Sequence, residues 1–256
     1  MVEHILQKAI PAATLVIFRD REGEAPQLLM VRRSNKMVFA AGAVVFPGGR
    51  IDADDHYLAK IFAEGLDEDE GAARIAAIRE TLEETGVAIG IEGDVSEEAL
   101  AFVRATILEG TDFSEMVKQH GWTLHPEKLE PFARWCPAHK HERIFDTRFY
   151  LADGNHHEGE VTVTSNENSH AFWTSAEEML GRADSGESHI IYPTRRNLER
   201  LAQFDGLSDA IENARAHPVK AIIPFVEERD GVTCLCIESD IGYPVTTEAL
   251  DSVERG

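Results

Sequence analysis

Three glutamates lie close together in the segment Arg79-Glu80-Thr81-Leu82-Glu83-Glu84-Thr85-Gly86, at positions i, i+3 and i+4. Because a helix turns by about 100° per residue, one face would carry all three carboxylates. The opposite face would be apolar and would pack on a core through Ile75, Ile78 and Leu82. Carboxylate oxygens are the ligands that Mg2+ and Mn2+ prefer, and these ions keep coordination positions open for phosphate. The spacing therefore predicts a site for Mg2+ or Mn2+ at Glu80, Glu83 and Glu84.

The residues around these glutamates favour a helix. No proline occurs between residues 72 and 85, and Gly86 supplies the left-handed residue that commonly ends a helix. Three like charges on one face repel one another and destabilise the helix. A bound cation would offset this repulsion, whereas the alternative is an acidic helix face that is simply solvated. The residues upstream favour the cation.

A strand and a tight turn precede the helix. Residues Val44-Val45-Phe46-Pro47-Gly48-Gly49 form an apolar run that ends in Pro-Gly-Gly, and the glycines let the backbone approach a ligand closely. This turn, followed by Arg-Glu-x-x-Glu-Glu-x-Gly, resembles the Nudix box, the signature of hydrolases that cleave nucleoside diphosphates linked to another group. The matching residues are Arg79, Glu80, Glu83, Glu84, Gly86 and Val87, with Thr81 at the first aliphatic position. The resemblance implies an enzyme, a Nudix hydrolase acting on phosphorus-containing anhydrides, with Gly48 and Gly49 beside the substrate.

The spacing inside the box departs from the family pattern. Gly49 and Arg79 lie 30 positions apart where the pattern has 14, so the chain carries about 16 additional residues, at about 54–70. We expect a short helix in this insertion, around residues 57–62. The first glutamate of the box has no fixed counterpart, and counting from either end gives the candidates Asp55, Gly71 and Glu70.

Other segments resemble the branch of Nudix hydrolases associated with coenzyme A and acyl-coenzyme A diphosphatase activity. This likeness is carried by Arg33, Ser34, Gly42 and residues 145–149 and 193–198. Val31 stands where the branch motif has threonine, and Val38 where it has a second arginine. The resemblance implies hydrolysis of coenzyme A or acyl-coenzyme A to 3',5'-ADP and 4'-phosphopantetheine, free or acylated.

The resemblance also assigns roles to single residues. Arg79 is expected to orient the carboxylates rather than to contact substrate. Arg33 and Arg148 are candidates for binding substrate phosphate, with a structural ion pair as the alternative for each. In the family a loop glutamate near the late strand, here around Trp173, sometimes serves as the base, and the candidates are Glu158, Glu160 and Glu167. The predicted catalytic residues are therefore Arg79, Glu83, Glu84 and Glu167.

Composition limits the class of protein. The chain has 256 residues and a net charge of −21, so binding to nucleic acid or to an anionic membrane, which requires basic patches, is not expected. The same charge repels a diphosphate, so bound cations become more necessary. The spacing of Cys136, Cys234 and Cys236 does not match that of a metal site. No apolar run is long enough to form a transmembrane helix. We expect a cytoplasmic protein that acts on a small-molecule nucleoside diphosphate derivative.

The order of predicted elements favours an α+β fold, and the resemblance implies the Nudix αβα sandwich with a mixed sheet, a helical insertion and C-terminal helices. Strand candidates are residues 12–18, 27–33, 43–46, 145–151 and 161–164. Helices are predicted at about 94–129, with Ser96 as N-cap and Gly110 and Gly121 as ends, and at 197–204 and 208–216. A hairpin is predicted from 221–226 and 232–237. We expect one Nudix domain over 1–256, with a C-terminal helical and hairpin extension at about 193–256.

The inserted helices at about 94–129 are expected to shape the substrate pocket or a contact between subunits, so a homodimer is an open alternative. The metal chemistry is expected to be independent of them. Two rival functions also stay open. The same box serves hydrolases of ADP-ribose, dinucleotides and nucleotide sugars, and a Nudix fold without turnover would be a binding or regulatory module.

Overall fold

A computed structural model describes residues 2–35, 40–137, 144–157, 161–163 and 168–253. The strands are β1 (Ile10–Arg19), β2 (Gln27–Arg33), β3 (Val44–Val45), β4 (Gly48–Arg50), β5 (Ile91–Glu92), β6 (Thr123–Leu124), β7 (Glu130–Trp135), β8 (Phe145–Asp153), β9 (Asn168–Ser175), β10 (Ala221–Ile222), β11 (Phe225–Arg229), β12 (Val232–Cys236) and β13 (Thr247–Ala249). The helices are α1 (Val2–Leu6), α2 (Ala53–Phe62), α3 (Glu68–Thr85), α4 (Glu97–Leu108), α5 (Phe113–His120), α6 (Ala176–Asp184), α7 (Tyr192–Leu201), α8 (Leu207–Ala216) and α9 (Leu250–Val253), with a 3-10 turn at Pro126–Lys128.

A mixed sheet forms around β1, whose residues from Ala12 to Phe18 are all buried. On one side, β1 pairs in parallel with β8, from Ile10 opposite Phe145 to Phe18 opposite Asp153. On the other side, its first half pairs with β4 and its second half with β2, both antiparallel. The paired order is β10-β7-β8-β1-β2-β3, with β9 also on β2. The sheet therefore divides along β1, between β4 and β2.

Helices cover both faces of this sheet. Side chains alternate along β1, so Leu15 and Ile17 face one layer and Val16 and Phe18 face the other. The first layer holds α2–α5, and we name this side of the sheet the α3 face. The second holds α6–α8 together with β12 of the small sheet β11-β12-β13. The two layers confirm the αβα sandwich and the α+β class.

The helix predictions are confirmed, with changes at the ends. α2 provides the short helix expected within the box insertion, and Ser96 caps α4 by accepting from the backbone N–H of Ala99. α3 begins at Glu68, before the predicted segment, because the Asp67 side chain accepts from the first backbone N–H groups of the helix. None of the helices formed by the described residues is long and apolar enough to cross a membrane.

Two strand predictions were wrong in extent, and one strand was not predicted. β7 lies where the helical pattern was expected to have just ended, and its second residue, Pro131, hides the strand signal. Residues 161–163 form no strand, Thr164 lies outside the described residues, and the late strand β9 begins only at Asn168. The predicted strand 221–226 is interrupted at Pro224, so that β10 joins the main sheet and β11 pairs with β12. Proline has no N–H to continue a ladder.

Buried polar groups fix the C-terminal extension to the sheet. Asn197 of α7 accepts hydrogen bonds at Oδ1 from the Tyr243 hydroxyl (2.7 Å) and from Trp135 Nε1 (3.2 Å). Trp135 Nε1 also lies 3.0 Å from the Tyr243 oxygen. All three side chains are buried, so α7 joins the segment around Tyr243 to β7 through directional contacts.

We expect Tyr243→Phe to lower the free energy of unfolding by about 1 kcal/mol, because it removes a buried hydroxyl that donates to Asn197 and accepts from Trp135, while Trp135 still donates to Asn197. Tyr57→Phe is the matched control, since Tyr57 is 57% exposed. Urea unfolding measures the effect as a shift of the midpoint without a change of slope. Equal midpoints for the two variants would show that the Tyr243 hydroxyl does not stabilise the extension.

Candidate active site

The acidic face of α3 lies opposite its apolar face, as the spacing predicts. The side chains that pack into the core are Ile75, Ile78 and Leu82, all fully buried. Glu80 and Glu84 face the turn before β4, and Glu84 also reaches the start of β9. α3 ends at Gly86, which adopts the left-handed conformation with φ of 76°. The helix therefore presents its carboxylates to the place where the sheet divides.

Arg79 connects the carboxylates to their surroundings. Its Nε and Nη2 donate to the two oxygens of Asp55 at 2.9 and 2.8 Å, and Nη2 also donates to the Arg50 carbonyl. Its Nη1 donates to Glu80 (2.9 Å) and Glu83 (3.2 Å). Burial opposes the charge of the guanidinium, but the hydrogen bonds to Asp55 and the surrounding carboxylates outweigh burial and raise the pKa of Arg79. Arg79 thus holds the carboxylates in place from beneath.

Asp55, one of the three candidates for the first glutamate of the box, is the partner of Arg79. It is fully buried at the third residue of α2 and binds Arg79 with both oxygens. The other candidates lie elsewhere: Glu70 accepts from Arg74, and Gly71 packs on α2, where a Cβ atom would lie 2.8 Å from that of Ala63. Counting forward from Gly49 was the signal that identified Asp55. Of the three candidates, Asp55 is the one that binds the guanidinium of Arg79.

Glu80 lies against the backbone of β4. A Cβ atom on Gly49 would lie 2.3 Å from Glu80 Oε1, so only glycine leaves room for this carboxylate. Burial, with the charges of Glu83 and Glu84, raises the pKa of Glu80 to about 8 against the opposing effect of Arg79. Burial also raises the pKa of Glu83. Such carboxyls gain from a nearby cation, which favours their charged form.

Glu84 is fixed by two donors from outside the helix. The backbone N–H of Gly48 donates to Oε2 (2.9 Å), and Nδ2 of Asn168 donates to Oε1 (2.6 Å). The register of β9 against β2 shifts directly after Asn168, between the partners of Arg33 and Arg32, as it does at a β-bulge. Bulges can redirect a side chain in this way. Sequence reasoning missed Asn168, because neither its contact nor the bulge has a local sequence signal.

The structure separates the two arginines that were predicted to bind phosphate. Arg33 is the cross-strand partner of Asn168, and so lies beside the residue that fixes Glu84. Arg148 instead donates to the Asp69 carbonyl at the beginning of α3 and lies 3.9 Å from Glu70. At 1.5 Å per residue, Glu70 and Glu80 are about 15 Å apart along the helix. The prediction of Arg148 as part of the site is therefore not supported by its position.

The candidate bases lie outside the described residues. These are Glu158, Glu160 and Glu167. Asn168, the chain neighbour of Glu167, is described and contacts Glu84. The role of Glu167 stays a prediction.

The donor set fits a hard divalent cation. Three carboxylates, whose oxygens are suitable ligands, share one face of α3. The pKa values of Glu80 and Glu83 are raised. Within the described part of the chain, no three such side chains enclose a position for a metal ion. Arg79 Nη1 contacts Oε1 of Glu80 and Oε1 of Glu83, so Oε2 of each glutamate would be the oxygen that binds an ion while Arg79 keeps its contacts. The predicted ligands are assembled on one face, but their coordination geometry is not formed.

Known proteins share this fold and this box. The family profile of the NUDIX domain matches residues 9–193. The crystal structure of a NUDIX hydrolase from Alicyclobacillus acidocaldarius is similar to this structure, with a TM-score of 0.71. The two sequences are 30% identical, and the match covers 80% of this chain and 96% of that chain. A Caenorhabditis elegans protein named nudix hydrolase 7 is 27% identical over 180 residues, which are 69% of this chain and 56% of the relative. The match thus spans little more than half the length of that curated relative.

We expect Asp55→Asn to lower the free energy of unfolding by about 3 kcal/mol, because it leaves the buried charge of Arg79 without its bidentate partner. Asp52→Asn is the control, since Asp52 lies 3.6 Å from the same guanidinium but is mostly exposed. Chemical denaturation of both variants measures the difference. If both lose the same small amount of stability, Asp55 does not have the role described.

Proposed function

The chain is a member of the Nudix hydrolase family, and we propose that it hydrolyses the P–O–P linkage of a nucleoside diphosphate derivative with Mg2+ or Mn2+ held by Glu80, Glu83 and Glu84. The observation that carries the proposal is the acidic face of α3 against the glycine turn of β4. An isolated solvated helix face would need neither the buried Arg79 beneath it nor a glycine at the point of contact with Glu80.

The residues of the chain have separate tasks in this reaction. Divalent ions, when bound, neutralise phosphate oxygens and lower the pKa of the attacking water. Glu80, Glu83 and Glu84 hold the ions, and Arg79 orients Glu80 and Glu83 through Nη1 without contacting substrate. Gly49 leaves room for the carboxylate of Glu80, and Gly48 donates its backbone N–H to Glu84, so both glycines serve the ligands and not the predicted contact with substrate. Glu167 is the proposed base that accepts the proton of the water as it attacks phosphorus.

The charge of the chain explains why ions are needed. A net charge of −21 repels a diphosphate, and the carboxylates of α3 add to this repulsion locally. Divalent ions reverse the local sign at the site. Arg33, beside Asn168, adds a positive charge near Glu84. We therefore assign Arg33 to a phosphate of the substrate.

Coenzyme A or a short acyl-coenzyme A is the substrate that we propose. The support is the partial motif before the box, in which Arg33, Ser34 and Gly42 agree with the coenzyme A branch. Of the arginines in that motif, the one that this chain retains is the one paired with Asn168. ADP-ribose, dinucleotides and nucleotide sugars are the competing substrates, and a protein without turnover is the competing class.

We expect hydrolysis to require a divalent ion, and Glu83→Gln or Glu84→Gln to lower kcat at least about a hundredfold, since glutamine keeps the size and loses the charge. The assay is phosphate-product release with Mg2+, with Mn2+ and with chelator. Glu64→Gln, at an exposed position of the insertion within the box, is the control and should keep full activity. Near-normal turnover of both variants in a folded state would contradict the metal site.

We expect coenzyme A or a short acyl-coenzyme A to have a higher kcat/KM than ADP-ribose or a dinucleotide. A panel of diphosphates under one set of metal conditions tests the ranking. If ADP-ribose is preferred by more than about tenfold, or roughly 1.4 kcal/mol in the transition state, the coenzyme A assignment is wrong. Metal-dependent binding without hydrolysis of any member of the panel would identify a binding module instead.

A further inference from the structure

Arg104, on α4 of the inserted segment, is a charged residue that is only 4% exposed. Its Nε and Nη2 donate to the Glu83 carbonyl at 3.3 and 3.2 Å. Its Nη2 also donates to the Thr162 carbonyl (2.6 Å), and Nη1 donates to the Thr162 hydroxyl (3.0 Å). One guanidinium therefore joins the last turn of α3 to the chain segment at Thr162.

Arg104 has no carboxylate partner among the described residues, and burial lowers its pKa. An arginine is rarely buried without a counter-charge. The partial negative charge at the C-terminal end of α3 compensates in part. The planar fork of a guanidinium is also the group that can donate to two separate segments at once. A buried arginine that lacks a carboxylate partner but joins two segments indicates that the end of α3 must be held in one position.

The end of α3 depends on these outside donors. The backbone N–H of Val87 donates to the Thr85 hydroxyl and does not continue the helix ladder, and the Thr85 carbonyl accepts from the N–H of Thr162. The carbonyls of a last helical turn lack partners within the helix. Arg104 satisfies the one that belongs to Glu83, which is the backbone of a predicted metal ligand.

Gly86 leaves the space that Arg104 occupies. A Cβ atom at Gly86 would lie 2.8 Å from Arg104 Nη1, and the φ of 76° is itself unfavourable for other residues. The glycine that closes the box therefore serves both the turn of the backbone and the approach of the guanidinium. Arg104 of α4 therefore makes specific contacts with the C-terminal end of α3, and the absence of a side chain at Gly86 makes room for them.

We propose that Arg104 is a positioning residue of the metal site. By fixing the last turn of α3, it directs the carboxylates of Glu83 and Glu84 towards the ion, so the inserted helix helps to build the catalytic centre. This role rests on the proposed function, and it differs from the expectation that the insertion leaves metal chemistry unchanged. Side chains that hold metal ligands in place typically contribute about 10- to 100-fold to metal affinity or activity.

Arg104→Met tests the proposal, with Arg74→Met as the matched control. Arg74 is also buried, and it also joins α3 to backbone carbonyls of the inserted region, at Pro126 and Leu129, but at the other end of the helix. We expect Arg104→Met to weaken Mn2+ binding by about tenfold and to lower kcat at saturating metal by about tenfold or more, with KM nearly unchanged. Arg74→Met should lower Tm without changing either quantity.

Mn2+ binding is measured with the metal alone, by electron paramagnetic resonance of the free ion. This titration needs no substrate, so a wild-type protein that binds Mn2+ but hydrolyses no diphosphate contradicts the proposed function and not the role of Arg104. A folded Arg104→Met variant with unchanged Mn2+ affinity and kcat overturns the proposal. So does a matching loss of affinity in Arg74→Met, which would indicate general destabilisation.

Arg104→Lys keeps the test decisive if Arg104→Met does not fold. Lysine keeps the charge at the end of α3 but cannot donate in the fork to both Glu83 and Thr162. We expect its Mn2+ affinity to lie between those of the wild type and Arg104→Met. Wild-type Mn2+ affinity and kcat in a folded Arg104→Lys variant would show that the charge alone is enough, and would overturn the positioning role.

Discussion

The buried ion pair between Arg79 and Asp55 is the interaction on which the rest of the site depends. Removing two charges from water is costly unless each finds a partner with good geometry, and here both oxygens of Asp55 meet two nitrogens of Arg79. Asp55 belongs to the segment inserted into the box, and Arg79 belongs to α3. The pair therefore sets how α2 docks on α3. The remaining nitrogen of Arg79 is then available to hold Glu80 and Glu83, and so offsets the repulsion between them.

The features that could be predicted are those whose sequence signal is local, and the features that were missed depend on contacts between residues far apart in the chain. The acidic face of α3 and its end at Gly86 are local patterns, and the structure has both. The counterpart of the first box glutamate was left open because of the insertion, and its candidate Asp55 contacts Arg79 across 24 positions of the chain. Asn168 was missed because its contact with Glu84 spans 84 positions and depends on a bulge. Arg148 was assigned to substrate because a lone arginine on a strand gives no sign of which end of a helix it will meet.

The inserted and appended segments differ in their relation to the chemistry. The insertion within the box supplies Asp55, and the helix that follows α3 supplies Arg104, so both lie on the α3 face and contact α3. The extension after residue 193 lies beyond the family match and packs on the opposite face, through Asn197, Trp135 and Tyr243. Segments that are added to a common fold are often assumed to affect only substrate specificity. Here, two of them reach the backbone and side chains that hold the carboxylates.

The parallel pairing of β1 with β8 has a consequence for the way the chain folds. Ile10 and Phe145 are neighbours in the sheet but 135 positions apart in the chain. At roughly 5–20 residues per second of synthesis, β1 waits on the order of ten seconds or more for β8 to emerge. The β1–β2 hairpin is local and can form earlier; β2 covers the second half of one edge of β1, and β4 covers the first half. The other edge stays an open apolar template until β8 arrives, so the nascent chain is most exposed to aggregation while the helices of the α3 face are still being made.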